Sequence, residues 1–552
     1  MRKRPLFLII ISLLLSSNFV IAQQINRDVV VVKPYEPALS DVYKISVLPE
    51  INDSVAVKPR FEYSILPVKV ETPFDPKPIN AAKMMGTSLE KLYRSYIMLG
   101  IGNYFTPVAE YNINSLRSKD HLVGLYFKHR STGSKIALDN GDKVPAGYSI
   151  NQGEIYGKKF YTHSSLSGSF SLRSDAIHHY GYNTDLFPDT TLDIKGKSIK
   201  QNYIRAGFDF RFNSTHADSS HLNYDLNLTY NNLTDKFKNY ENKLDLNTRF
   251  NKSFGNKVFG LDLGLTYVDP GMTIDSLNST LFTATPWFSR RNADYEFIVG
   301  GKIILASGSE QKTYFYPHAR LQFNVVEKIL IPYVGIDGDA TLNTYDRLSG
   351  ENPYIVPASK AQITDRLYIY GGIKGLFSSR AGYNLTLSYS IINNMPLFLI
   401  DSLGKYDNMF KVVTDDVKLV KYAGEVYYDP YPNFKLSLGA AVMGYDLSHE
   451  LKAWHKPDYE FSFGTRYNIR KKIYANLDMA VIGSRYAQKT DTAGTVIKLK
   501  PVFDLNLALE YRYSKILSFY LNFYNLTSSG YYLWHQYPAR KLNVILGFSY
   551  KI

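Results

Sequence analysis

The chain of 552 residues contains no cysteine. Disulfides, thiolate metal sites, cysteine nucleophiles and lipid attachment through a cysteine are all excluded. After residue 22 no apolar run reaches 18 residues, so a helical membrane span is not expected. No Walker-type glycine loop, HExxH or nucleophile elbow is present. Nothing in the sequence calls for an enzyme, a metal or a cofactor. His216, Asp218 and His221 share one connection, but that set is what a solvated turn carries. Asp139-Asn140-Gly141-Asp142 and Asp337-Gly338-Asp339 lack the further carboxylates of a calcium loop. His178-His179 stands equally unsupported.

What is abundant is tyrosine, at 46 residues, and aromatics reach 14% beside 21% charged residues. That mixture suits aromatic girdles around a polar interior. The formal charge is +14. It bears on lumen, turns and lipid contacts, and with no nucleic-acid reader motif beside it, no nucleic acid is expected as a partner.

The first 22 residues read as a secretory signal peptide. Arg2, Lys3 and Arg4 form its basic start, Leu6 to Ile21 its apolar stretch, and Val20-Ile21-Ala22 its cleavage site. Residues 23–88 carry eight prolines, at 34, 37, 49, 59, 67, 73, 76 and 78, which argues against a compact helical domain. Val29-Val30-Val31-Val32 and Ser64 to Val70 are short apolar stretches that need cover. An extended arm that docks in a lumen or along a partner's strand edge supplies it.

Residues 89–552 alternate. Ile204, Phe208 and Phe210 oppose Arg205, Asp209 and Arg211. Tyr459, Phe461 and Phe463 oppose Glu460, Ser462 and Arg466. Phe503, Leu505, Leu507, Leu509 and Tyr511 oppose Asp504, Glu510 and Arg512. A soluble sandwich also alternates, but these strands run nine to thirteen residues, near the length of a tilted membrane strand, with no domain break. Charges do not face lipid cheaply, so Arg205, Asp209, Arg211, Glu460, Arg466, Asp504, Glu510 and Arg512 are expected to face the lumen. Short turns centre near residues 118, 160, 217, 255, 291, 327, 380, 431, 470 and 515. Longer connections include 132–145, 177–200, 268–279, 342–364, 395–410, 445–456, 484–499 and 527–540. Ten short turns join twenty strands, and one strand at each end completes a transmembrane antiparallel β-barrel of about 22 strands with both termini periplasmic. The last strand, Leu542 to Ile552, sets Leu542, Val544, Leu546, Phe548, Tyr550 and Ile552 on one face, with Ile545 out of pattern.

The run Leu521 to Thr527, then Gly530 to Trp534, Gln536-Tyr537-Pro538-Ala539-Arg540 and Gly547 to Tyr550, resembles the last two strands of TonB-dependent receptor barrels. Val20-Ile21-Ala22-Gln23 looks like the end of Bacteroidota signal peptides. The resemblance implies 22 strands and an outer-membrane location in a Gram-negative bacterium. It also implies a globular plug, and the proline-rich 23–88 does not fit one. A barrel this wide is normally filled. The candidates are 23–88, inward loops such as 342–364 and 395–410, or a second protein. Two functions stay open. One is a non-catalytic scaffold subunit of a multiprotein envelope complex, whose partners are outer-membrane lipid and other outer-membrane or periplasmic proteins. The other is a porin-like or partner-gated solute channel, or an uptake protein like those receptors.

Overall fold

In the computed structural model the described residues are 92–552, without 117, 188–196, 217–220, 272–276, 309, 358–360, 402–405 and 489–494. The signal segment, the proline-rich segment, Val29 to Val32 and Asp218 lie outside them.

Alternation of side chains along each strand dictates a sheet with two unlike faces, and the sheet closes on itself. Twenty-two strands pair antiparallel in chain order, from Ser95–Gly102 to Asn543–Lys551. The last strand then pairs with the first, from Tyr96 opposite Lys551 to Gly102 opposite Ile545. Closure leaves no strand edge, which is what a sheet in lipid requires. The outer face carries exposed Leu99, Ile101, Leu546 and Phe548. Ile545, the residue out of pattern, turns inward and is buried with Met98 and Tyr520.

The ten connections expected as short turns all fall on one side of the wall, and the one near 217 joins strands ending at Ser214 and starting at Asn223, with 217–220 outside the described residues. The eight longer connections emerge on the other side, together with three short ones at 103–105, 236–239 and 308–311. The strands themselves are longer than the alternation suggests. Ala381–Ile400 has 20 residues and Phe410–Tyr431 has 22, roughly twice what a tilted span needs. Their surplus lies on the long-loop side, so 395–400 is strand, and only 401–409 connects. Leu397, Phe398, Leu399 and Ile400 are all buried, because at that height both faces of the strand are covered.

Candidate functional site, a loop cap over a charged lumen

The largest buried apolar cluster is not in the wall. It gathers Ile136, Val144, Tyr180, Tyr182, Tyr345, Ile355, Phe398, Tyr406, Phe410 and Tyr537, drawn mostly from the long connections. Where these connections meet follows from the ring of strands. Tyr180 follows the fifth barrel strand, Tyr354 the thirteenth and Tyr537 the twenty-first, so they leave the wall eight, eight and six strands apart. Yet the rings of Tyr354 and Tyr537 stack with centroids 3.6 Å apart, and Tyr180 lies 5.0 Å from Tyr537 and 6.2 Å from Tyr354. Points spaced by near-thirds around a ring approach one another only near its axis. The connections therefore close over the mouth.

The joint is held by main-chain partners as well as rings. Tyr180 donates to the Pro538 carbonyl at 3.0 Å, Tyr537 donates to the Asn408 carbonyl, and Asn408 donates to the His179 carbonyl at 2.5 Å. The Gln536 amide donates to the carbonyls of Asp407 at 2.9 Å and Gly181 at 2.7 Å. Gly181 leaves room for this packing, since a Cβ there would lie 2.6 Å from the Tyr537 ring. Arg485 donates to the carbonyls of Leu533 and Tyr532, and Ile355 bridges Phe410.

One connection crosses the mouth as helix α1 (Tyr345–Glu351), the single named helix among the described residues. It leaves the wall after the thirteenth strand and docks on the sixth to eighth. Thr344 caps it by accepting from the Arg347 amide. Glu241, 2% exposed, accepts from the amides of Tyr345 at 2.6 Å and Asp346 at 3.2 Å. A carboxylate at a helix N-terminus meets both its free N–H groups and its dipole. Glu241→Ala strands two buried donors, and the expected loss is about 1–3 kcal/mol of cap stability. Limited proteolysis within 344–361 reads it, and an unchanged cleavage rate contradicts it.

Below the cap, the face opposite the exposed apolar residues carries charge. Arg205 binds Asp175 at 2.8 Å and Asp346 at 2.6 Å, tying the wall to α1. Asp209 accepts from Thr229. Arg211 grips Asp225 with both nitrogens, and Arg249 does the same to Asp262. These two pairs line a polar hollow of about 550 Å³ with Asn247, Thr283 and Lys302. On the far wall Asp504 accepts from Asn506, while Arg512 lies 3.5 Å from Glu510 and stacks on Tyr474 at 3.8 Å. Glu460 and Arg466 occupy the same face of their strand, Tyr459–Ile469, whereas Tyr459 and Tyr467 are exposed on the other. The eight residues thus form no single constellation. Four of them, Arg205, Arg211, Glu510 and Arg512, meet an opposite charge, and Arg205 alone of the eight reaches into the cap. Sequence reasoning did not pick out Tyr180, Tyr354 and Tyr537 as a group, because no local pattern relates three connections so far apart.

Among the described residues no group of three histidines or carboxylates is placed to hold a metal. His163, His216 and His221 stack as parallel rings, with centroids 5.0 and 4.5 Å apart.

Two cap histidines are buried neutral. Burial pushes His455 down to about 3, against its bond with the Phe398 carbonyl. Its Nδ1 meets that carbonyl at 2.9 Å, and its Nε2 accepts from the His535 amide, so a second ring proton would face an N–H. Burial likewise pushes His179 down to about 4, helped by the neighbouring His178 and Lys236. With folded values below the usual 6.5, the open cap binds protons first. Cap stability is therefore full above about pH 6.5 and falls as pH drops toward 4 and then 3, by about 1.4 kcal/mol per unit for each histidine. Hydrogen-exchange protection factors in 448–458 and 525–542, corrected for the base-catalysed intrinsic rate, should fall between pH 6.5 and 4 while the wall stays protected. Protection factors that are flat across this range contradict it.

Solved structures share this architecture. The ferric-catecholate import receptor Fiu from E. coli K12 matches with 12% identity and a TM-score of 0.60, over 84% of this chain and 82% of that one. The FrpB iron transporter from Neisseria meningitidis matches with 9% identity and 0.65, over 84% and 82%. The copper transporter OprC matches with 11% identity and 0.61, over 83% and 80%. The fold is that of the TonB-dependent-receptor barrels. At such identities the likeness is one of fold. No family model and no curated protein matches the sequence. Among the described residues, this barrel holds no helical or mixed plug domain. What stands across its mouth is the loop cap.

Proposed function

We propose that this chain is a non-enzymatic transport barrel of a Gram-negative outer membrane, gated at its outer mouth by the loop cap. The tyrosine joint on the barrel axis carries the reading: a wall of this width needs a closure, and three connections supply one. The solved neighbours are described as an import receptor, an iron transporter and a copper transporter, which supports solute passage as the task. In this reading the signal segment exports the chain, and residues 23–88, through Val29 to Val32, dock on a periplasmic or outer-membrane partner that governs opening. Arg205, Asp209, Arg211, Glu460, Arg466, Asp504, Glu510 and Arg512 line the path.

A second reading rests on the density of the cap. Ten or more buried side chains and many carbonyl bonds make it as solid as a domain core, which suits a fixed docking platform in an envelope complex. Bilayer recording separates the two. The intact protein is expected to be nearly silent, and a variant with a loosened cap is expected to conduct. Silence in both, with stoichiometric proteins retained in mild detergent, overturns transport and supports the platform.

A further inference from the structure

The wall has one seam unlike the rest. Strands Lys312–Phe323 and Ile331–Asn343 are paired over four residues only, from Ala319 opposite Ile336 to Gln322 opposite Tyr333. Every other neighbouring pair of barrel strands shares at least six. Continuing the register sets Pro317 opposite Gly338, and proline has no N–H to give. Gly338 is satisfied by side chains instead. Its amide donates to Asp337 at 2.8 Å, and its carbonyl accepts from Lys302 Nζ at 2.6 Å, which reaches across from the strand beyond. A Cβ on Gly338 would lie 2.3 Å from the Tyr316 ring, which occupies the gap.

Parity shows that the wall overlaps here. Tyr314 and Tyr316 lie on the inward face of their strand, because Phe315 between them is 71% exposed. Leu342 shares the outward face of exposed Val334, and Ile363 that of exposed Ile369. All four nevertheless belong to one buried cluster with Val268, Leu281 and Ile304. Lys312 also reaches Asp365, on the same face as Ile363, at 3.7 Å. The outer ends of the two later strands therefore tuck behind the earlier ones as a lap joint. Phe315 stands level with Ile303, exposed on the outside of the neighbouring strand, so the joint lies within the lipid-facing band.

We propose that this lapped seam is a lateral passage between the lumen and the outer leaflet for an amphiphile with an acyl chain. The chain slides between Tyr316 and Gly338, where side-chain packing replaces ladder hydrogen bonds. The polar headgroup remains inside, among Lys302, His318, Asp337 and Arg320. Parting the wall here breaks contacts and two Lys302 bonds, whereas parting any other seam strands six or more backbone pairs in lipid. A partner strand is the poorer occupant, since the overlap hides the edge on which it would add, and an acyl chain needs no hydrogen bonds. The passage does not depend on whether the cap opens.

The absence of native cysteine makes a clean test possible. Full-length Thr341→Cys, labelled with bimane, is placed in phosphatidylcholine vesicles carrying nitroxide acyl chains. Asn112→Cys, on the opposite wall, serves as the lumen control. The seam label is expected to be quenched about twofold or more above the control. Adding Pro317→Val, which restores the missing N–H, should lower quenching to the control level, and Lys302→Met should raise it. Heat-modifiable migration on gels confirms that each variant is folded. Equal quenching at Thr341 and Asn112, or no response to either second substitution, overturns the passage.

Discussion

Gly547→Val is expected to prevent closure of the wall, read as loss of the heat-modifiable folded band. Gly547 faces Gly100 across the seam that joins last strand to first, and Tyr520 on its other side. The Tyr520 ring lies over both glycines. A Cβ at Gly547 would meet its Cζ at 2.4 Å and the Leu99 carbonyl oxygen at 2.2 Å. At Gly100 a Cβ would meet the Tyr520 hydroxyl at 2.1 Å. Backbone oxygen does not move aside as a flexible side chain does. Overpacking of a buried site costs about 1–3 kcal/mol, and a branched residue against main chain belongs at or above the top of that range. The strand also depends on this register for Ile545, which is buried with Met98 and Tyr520. Phe548→Val, one residue along and facing lipid, should fold nearly as well as the parent. Equal folded yield for Gly547→Val and Phe548→Val contradicts the argument.

Tyr537→Ala is expected to turn a nearly silent barrel into a conducting one. The ring stacks on Tyr354, packs edge-on to Tyr180 and tilts against Phe410. Its hydroxyl donates to the Asn408 carbonyl. Truncating a buried aromatic costs about 3–5 kcal/mol, and here the loss falls on the cap, because no ladder of the wall passes through it. A shift of that size changes the open fraction by roughly two to four orders of magnitude. Gly181→Ala reaches the same joint by another route, pressing a methyl against the Tyr537 ring. The two variants should raise conductance in the same direction, with folded yields unchanged. A parent protein that already conducts steadily at neutral pH removes the cap as gate.

The wall was legible in the sequence because each strand is read locally. Phe208 and Phe210 against Asp209 and Arg211 state the two faces without reference to anything distant, and the ten turns follow from where that rhythm breaks. Legibility ended where a second layer covers the strand. Leu397 to Ile400 lose alternation because cap and wall bury both sides, so they looked like connection. The three short outer connections were missed for the opposite reason, being too brief to interrupt the rhythm. Parity proposes charged residues for one face but says nothing of their partners, since Arg205 and Asp346 are 141 residues apart. The lap joint hides in the same way. Pro317 and Gly338 each look ordinary in a strand, and only their opposition removes the ladder.

The near-thirds spacing of the three tyrosines also bears on the order of assembly. Tyr180 and Pro538 are separated by 358 residues, and nothing in either connection brings them together. Only a ring that has already closed holds their roots at a fixed distance across the mouth. Forming the cap early would demand the entropy of a very long loop, whereas forming it after closure demands only a few short ones. The mouth therefore seals last, and a sealed mouth certifies a finished wall. Protease resistance of the outer connections becomes a readout of membrane insertion, and a chain stalled before its final strand would display the same connections loose.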